Sequence, residues 1–190
     1  MSSFVQASKT PNAGRGCWDL GCWQDSDGET HRFSLELRFI ELDRLHWEPN
    51  WEALTVTNPD EFVRRVGAAT SGDAWVCDGN YGLVRDLIWR RATNLIWLDY
   101  GRAVVMYRVI KRSVARAFDQ TELWAGNRED WRRWLRPSHP IRWAWSTWRE
   151  RRSRFEELLN GAQYRHLAVL RLQTPCDAAK VIDQLKMGEA

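Results

Sequence analysis

The chain lacks any apolar run approaching the roughly 18 to 20 residues that a membrane span needs. Its opening, Met1-Ser-Ser-Phe-Val-Gln6, lacks the basic-then-apolar layout of a secretory signal. A soluble, cytoplasmic protein without a membrane partner is expected. Cysteine is scarce: the four residues, at 17, 22, 77 and 176, form no CxxC pair, and the Cys17/Cys22 spacing is too wide for a redox motif or zinc knuckle. We read them as reduced thiols. Internal repeats and low-complexity linkers are also missing, which excludes solenoids and flexible tethers. Charge of one sign is barely in excess, at +3 overall. What remains is 190 residues and 22.4 kDa, 44% hydrophobic and 28% charged, enough for one substantial core and too apolar for a disordered tail.

From residue 37 onward, short apolar or β-branched runs alternate with helical stretches, the pattern of an α/β protein whose parallel sheet is flanked by helices in three layers. The predicted strands are Leu37 to Leu42, Ala74 to Cys77, Asn94 to Leu98 and His166 to Leu172. Asn58-Pro59-Asp60-Glu61 reads as a helix N-cap, a proline at the first helical position and early acids, opening a helix through about Ala69. Thr174-Pro175-Cys176-Asp177 repeats that grammar before a last helix. Further helices are predicted over Gly82 to Arg91, Ala103 to Phe118 and Ile141 to Leu159. Among the 13 tryptophans, Trp145 and Trp148 follow Ile141 at helical spacing, which predicts a buried stripe.

Charge is unevenly spread. Residues 128 to 154 carry nine arginines against Glu129, Asp130 and Glu150, which suggests an anionic partner: phosphates on a small ligand or a nucleic-acid backbone. The acids have their own pattern. Asp43, Asp78 and Asp99 each close an apolar strand, and in a parallel sheet those ends share the edge where ligands bind. Clustered carboxylates there suit Mg²⁺, with Asp78 as a ligand, or a base acting on a hydroxyl. Arg108, Arg112 and Arg116 recur at i, i+4, i+8 on one helix face, and guanidinium forks match phosphate oxygens. Taken singly, each aspartate also fits a turn or cap, and each arginine a solvated face. His46, beside Trp47, is read as a substrate contact or as a hydrogen-bonded structural residue.

Five ordered strings then carry a family resemblance: Phe39-Ile-Glu-Leu-Asp-Arg-Leu-His-Trp-Glu-Pro-Asn-Trp51, Trp75-Val-Cys-Asp-Gly-Asn-Tyr81, Leu95-Ile-Trp-Leu-Asp99, Glu122-Leu-Trp-Ala-Gly-Asn-Arg-Glu129 and Ile141-Arg-Trp-Ala-Trp145. Together they resemble the adenylate-kinase-like P-loop proteins labelled DNA topology modulation proteins, over about residues 37 to 186. The resemblance implies a P-loop NTPase fold with an arginine-bearing lid at about 119–140, and ATP-dependent, Mg²⁺-assisted phosphoryl transfer to a small acceptor. It further implies that Asp43 faces the acceptor, with His46, Trp47, Gly79, Asn80 and Tyr81 beside it. Asp78 with Gly79 would stand at the substrate edge, and Arg108, Arg112, Arg116 and Arg128 would contact phosphates. Gly101 stands where the family usually has proline, and Thr93 where it often has aspartate. A nucleic-acid-binding or regulatory module, stacking bases on the tryptophans of residues 128–154, is the alternative.

The front of the chain departs from that pattern. A P-loop protein opens with a strand and G-x-x-x-x-G-K-[ST], whose N–H groups cradle phosphates. No such motif is present, and residues 1–36 form an aberrant segment ahead of a kinase-like unit over 37–190. The genetic code offers an explanation. Shifted one base later, Trp18-Asp19 must read glycine, Trp23-Gln24 must read glycine, Gln24-Asp25 gives lysine or arginine, and Asp25-Ser26 gives threonine or isoleucine. The shifted frame therefore spells G-x-x-x-x-G-[KR]-[TI], and Arg15, Gly16 and Cys17 shift to codons that permit a valine-rich strand before it. A frame slip, reversed before about Leu37, and a naturally divergent N-terminus are the two accounts.

Overall fold

The structure is a computed structural model; it describes residues 38–134, 139–178 and 180, together with the backbone of 4–8, 23–24 and 30–31. Five strands form the main sheet: β1 (Phe4–Ser8), β4 (Arg38–Glu41), β7 (Trp75–Asp78), β8 (Ala92–Leu98) and β9 (Ala168–Leu172). Two small ribbons complete the strands: β2 (Trp23–Gln24) with β3 (Thr30–His31), and β5 (Trp47–Glu48) with β6 (Glu52–Ala53). The helices are α1 (Leu42–His46), α2 (Leu54–Thr57), α3 (Pro59–Ala69), α4 (Arg85–Trp89), α5 (Arg102–Asp119) and α6 (Pro140–Asn160). Residues 175–178 open the last helix, where Thr174 and Asp177 cap each other, each backbone N–H donating to the other's side chain. None of the described helices is long and apolar enough to cross a membrane.

The main sheet runs β4-β7-β1-β8-β9. Strands β4 and β7 pair in parallel, as do β8 and β9, so the mixed helix and strand architecture is of the α/β kind. Period-two alternation fills both faces: Trp75, Cys77, Leu95 and Trp97 point into one core with α3 and α4, while Val76, Ile96 and Leu98 point into another with α5. Local grammar sets the helices. Asn58 Oδ1 accepts from the Glu61 N–H at 3.2 Å, Pro59 occupies the first turn, and Phe62, Val66 and Ala69 bury one face of α3. On α5, Val105, Val109 and Ser113 form the buried row, with the three arginines on the flank beside it.

Two sequence readings need revision. Residues 4–8, which fall ahead of the boundary drawn at residue 37, supply the central strand and pair with both β7 and β8. That strand runs antiparallel to its neighbours, so its first residues, not its last, lie at the carboxyl edge: Val5 pairs with Asp78, while Ser8 pairs with Ala92 at the far end. The predicted tryptophan stripe also splits. Ala144 and Phe155 are the buried residues of α6, with Ile141 and Trp148 packed beside Ala144's cluster. Trp145 is 58% exposed, with Arg102 stacked 3.5 Å above it. A helix lying on a sheet buries one narrow face, and the guanidinium covers the ring left outside.

Candidate active site

Strands β4, β7, β8 and β9 follow chain order across the sheet, with β1 inserted between β7 and β8. Strands β4 and β7 lie on one side of β1, β8 and β9 on the other, so the crossover from β7 to β8 passes the central strand. Open α/β sheets hold ligands in crevices outside the carboxyl ends of their strands. Asp78 ends β7 at this place. Asp43 reaches it from the first turn of α1, immediately after β4.

Gly79 makes the approach of the two acids compatible with the chain. Its φ is +121°, and a Cβ there would stand 2.8 Å from Leu42 Cβ. Any side chain would push apart the turns that carry Asp43 and Asp78, and the backbone itself favours glycine. The Tyr81 hydroxyl, two residues on, donates to Asp43 Oδ1. Beneath Tyr81 lies His46, 3% exposed, its ring meeting Tyr81, Trp47 and Phe62 at centroid distances of 4.5, 4.5 and 5.3 Å. Burial lowers the His46 pKa to about 4, so the imidazole is neutral and forms an aromatic floor.

Electrostatics set the acids apart from ordinary carboxylates. Asp78 is pushed up to about 7, first by burial and then by the neighbouring Asp43 and Glu41 charges. Its Oδ1 is shielded from solvent and has no hydrogen-bond partner among the described residues. Asp43 is also raised, chiefly by burial, with the Tyr81 hydrogen bond and Arg112 pulling the other way. Burial pushes the Tyr81 phenol up, and the Asp43 carboxylate adds to this, so the phenol remains a donor. Across from the acids, Arg112 acts on both carboxylates, and Arg116 acts on Asp43, Glu41 and Glu129. Burial, with Arg112 beside it, lowers Arg116 to about 10. Trp124 completes the wall: its Nε1 donates to Glu41 Oε2 at 3.4 Å, and Arg116 lies over its ring.

The other residues singled out by sequence point elsewhere. Asp99 shares the edge, yet its side chain, 3% exposed, accepts from Arg171 Nε at 2.9 Å and lies 3.0 Å from the Arg152 guanidinium. It is a structural ion-pair centre tying β8 to β9 and α6. Arg108 covers the Tyr100 ring. Eight helical residues span about 12 Å, so Arg108 and Arg116 cannot serve one small cleft equally. Asn80 accepts from Arg85 on α4, and the exposed Arg128 side chain is 3.9 Å from Glu122. Along α6, Arg151 lies over Trp143 and Arg152 over Trp148, so rings offered for base stacking already have cationic partners. Residues 135–138 of the expected lid and Lys9 lie outside the described residues, as does the shifted-frame motif apart from the backbone of Trp23–Gln24.

Four residues in or beside this arrangement were not singled out in the sequence: Glu41, Trp124 and Glu129, which act on the acids or on Arg116, and Asn127, which bonds to the Trp124 carbonyl. The signal was faint, since each lies inside one of the quoted motif strings without a spacing that marks it. Comparison with known proteins names no relative: no family model, no curated protein and no solved structure matches this chain.

Chemically, the arrangement offers a shielded carboxyl pushed up to about 7, a second carboxyl fixed by a phenol, and two cations whose charge acts on the pair. A group with such a pKa accepts a proton and returns it at physiological pH. The donor set suits a hard cation shared with water and ligand oxygens. Among the described residues, no three Asp, Glu, His or Cys side chains gather to hold a metal by themselves.

Proposed function

We propose that this cleft is the acceptor side of a phosphoryl-transfer site of the P-loop kinase type, acting on a hydroxyl-bearing small molecule. The observation that carries the reading is the shielded Asp43–Asp78 pair at the carboxyl edge of β4 and β7, under the charges of Arg112 and Arg116. Asp78 takes the proton of the acceptor hydroxyl at its unpartnered Oδ1. Tyr81 keeps Asp43 turned toward the same point, and the arginines offset the charge that grows on the transferred group. In the intact family form, ATP·Mg²⁺ would supply the phosphoryl group, the metal being held mainly by substrate phosphates and water, which leaves Asp78 as the base.

The donor side does not fit the described residues as well. A phosphate loop must leave the central strand at the acid edge, whereas β1 reverses and leaves from the opposite one. The slot between β7 and β8 holds one strand. In the restored frame, residues 15–17 would write that strand, and entering parallel to β7 it would deliver the glycine loop to Asp78. ATP binding by this chain is therefore expected to be weak.

Thermal shift with ATP·Mg²⁺ on this chain and on a frame-restored version tests the proposal. At a hundredfold excess over Kd, binding adds about 2.7 kcal/mol, roughly 5 to 10 °C in Tm. We expect that shift only in the restored protein, together with phosphoryl transfer or ATP hydrolysis that Asp78→Asn abolishes. A restored protein that ignores ATP, or one whose Asp78→Asn variant transfers phosphate equally well, would overturn the reading.

A further inference from the structure

The lid segment and the β5–β6 ribbon are not separate flaps. We infer that Asn127 is a positioning residue that rivets them into one clamp, and that this clamp sets Trp124 against Glu41 and Arg116 at the acid edge.

Asn127 is only 5% exposed, and both ends of its amide are used across the gap. Its Oδ1 accepts from the Trp51 N–H at 2.8 Å, while Nδ2 donates to the Glu48 carbonyl at 2.8 Å and to the Trp124 carbonyl at 2.8 Å. One side chain thus holds the ribbon at two points and its own loop at a third. The next residue adds a strut, its carbonyl accepting from Trp51 Nε1 at 3.2 Å. Within the lid, the Leu123 N–H donates to the Asn127 carbonyl at 2.7 Å, and residues 122 and 128 form a β-bridge. These bonds fix the Asn127 backbone that the side chain needs.

Both partners are bent in ways the chain resists. Asn50 and Trp51 have φ of 63° and 60° on the ribbon, and Ala125 has φ of 55° in the lid. Left-handed conformations cost a non-glycine residue on the order of 1–3 kcal/mol and persist where surrounding contacts over-determine them. The strained Trp51 is the residue whose N–H meets Asn127, and the strained Ala125 follows the Trp124 carbonyl bound by the same amide. Releasing the rivet frees strain on both sides. Trp124 and the ribbon would then leave the cleft together, exposing the carboxylates and unstacking Arg116.

This coupling stands on geometry alone, while its use in positioning rests on the phosphoryl-transfer reading, so the test separates the two. Hydrogen exchange by mass spectrometry is followed in the full chain for wild type, Asn127→Ala and Asn58→Ala, the last removing the α3 cap as a control for general destabilisation. Asn127→Ala is expected to raise exchange at least tenfold in both 47–53 and 122–128 while β7 and β8 stay protected, and Asn58→Ala to leave both segments unchanged. Should Asn127→Ala fail to fold, Trp51→Phe, which removes the indole bond to residue 128 and keeps an aromatic ring beside Trp47, is expected to loosen the same two segments to a smaller degree. Loosening of one segment alone, of neither, or equally in the control would overturn the clamp. Pyrophosphate affinity is measured in parallel in the frame-restored protein and should fall at least tenfold when Asn127→Ala is added to it. If wild type exchanges as expected yet the frame-restored protein ignores pyrophosphate, the phosphoryl-transfer reading and the positioning role fail while the mechanical coupling stands.

Discussion

Replacing Asp78 by asparagine isolates the physical state of the acid pair. An aspartate in the unfolded chain ionises near its ordinary value of 3.8, whereas burial and the charges on Asp43 and Glu41 hold the Asp78 proton up to about 7. Between these limits the unfolded state has released a proton that the native state keeps, so native stability falls as pH rises. Above about 7 both states are ionised and the loss is complete. A displacement from 3.8 to about 7 corresponds to on the order of 4 kcal/mol, large beside the roughly 5–15 kcal/mol that keeps a domain folded. Asparagine keeps the shape, carries no proton to lose and removes the like charge from Asp43. Urea unfolding should therefore show the variant gaining on wild type through this window and exceeding it by a few kcal/mol at pH 8. Other carboxylates titrate in the same range, so the difference between the two proteins is the readout. Profiles that stay parallel within about 0.5 kcal/mol from pH 4 to 8 would refute the claim that Asp78 is shielded and crowded by negative charge.

Three substitutions separate geometry from chemistry. Gly79→Ala combines a left-handed φ with a Cβ 2.8 Å from Leu42, so denaturant unfolding should show a loss of about 2–5 kcal/mol, while Gly72→Ala, with nothing within 4 Å, should change stability by less than about 1 kcal/mol. Asp99→Asn should destabilise by about 2 kcal/mol, less than a fully buried pair because Arg152 and Arg171 are each about a third exposed, and should leave pyrophosphate binding by the frame-restored protein unchanged.

Much of the sheet was legible because its strands are written as compact apolar runs closed by polar turns. The predicted Leu37 to Leu42 strand is Arg38–Glu41, and Asn94 to Leu98 extends back to Ala92. Asn58-Pro59 opens a helix through Ala69 as its residues predict, since a cap and a proline act within one turn. Asp99 shows where such reading stops: strand-end position fixes the edge a residue occupies, while partners from distant segments, here Arg152 and Arg171, fix what it does. Asn127 was illegible for a related reason. Its bonds reach residues 48 and 51, and no local spacing announces a contact across so long a stretch of chain. The direction of β1 was also beyond periodicity, because alternation reads the same way up or down a strand.

Strand β8 is flanked by segments from opposite ends of the described chain, Phe4–Ser8 on one side and Ala168–Leu172 on the other. Its outer hydrogen bonds can form only when residues more than seventy positions away in either direction have arrived, so loop closure rather than local propensity governs how quickly the sheet completes. During synthesis the β8 backbone waits, apolar and half-paired, until residues 168–172 have emerged. A lesion in either flanking segment would accordingly register first as poor folding yield, well before it registered as altered chemistry.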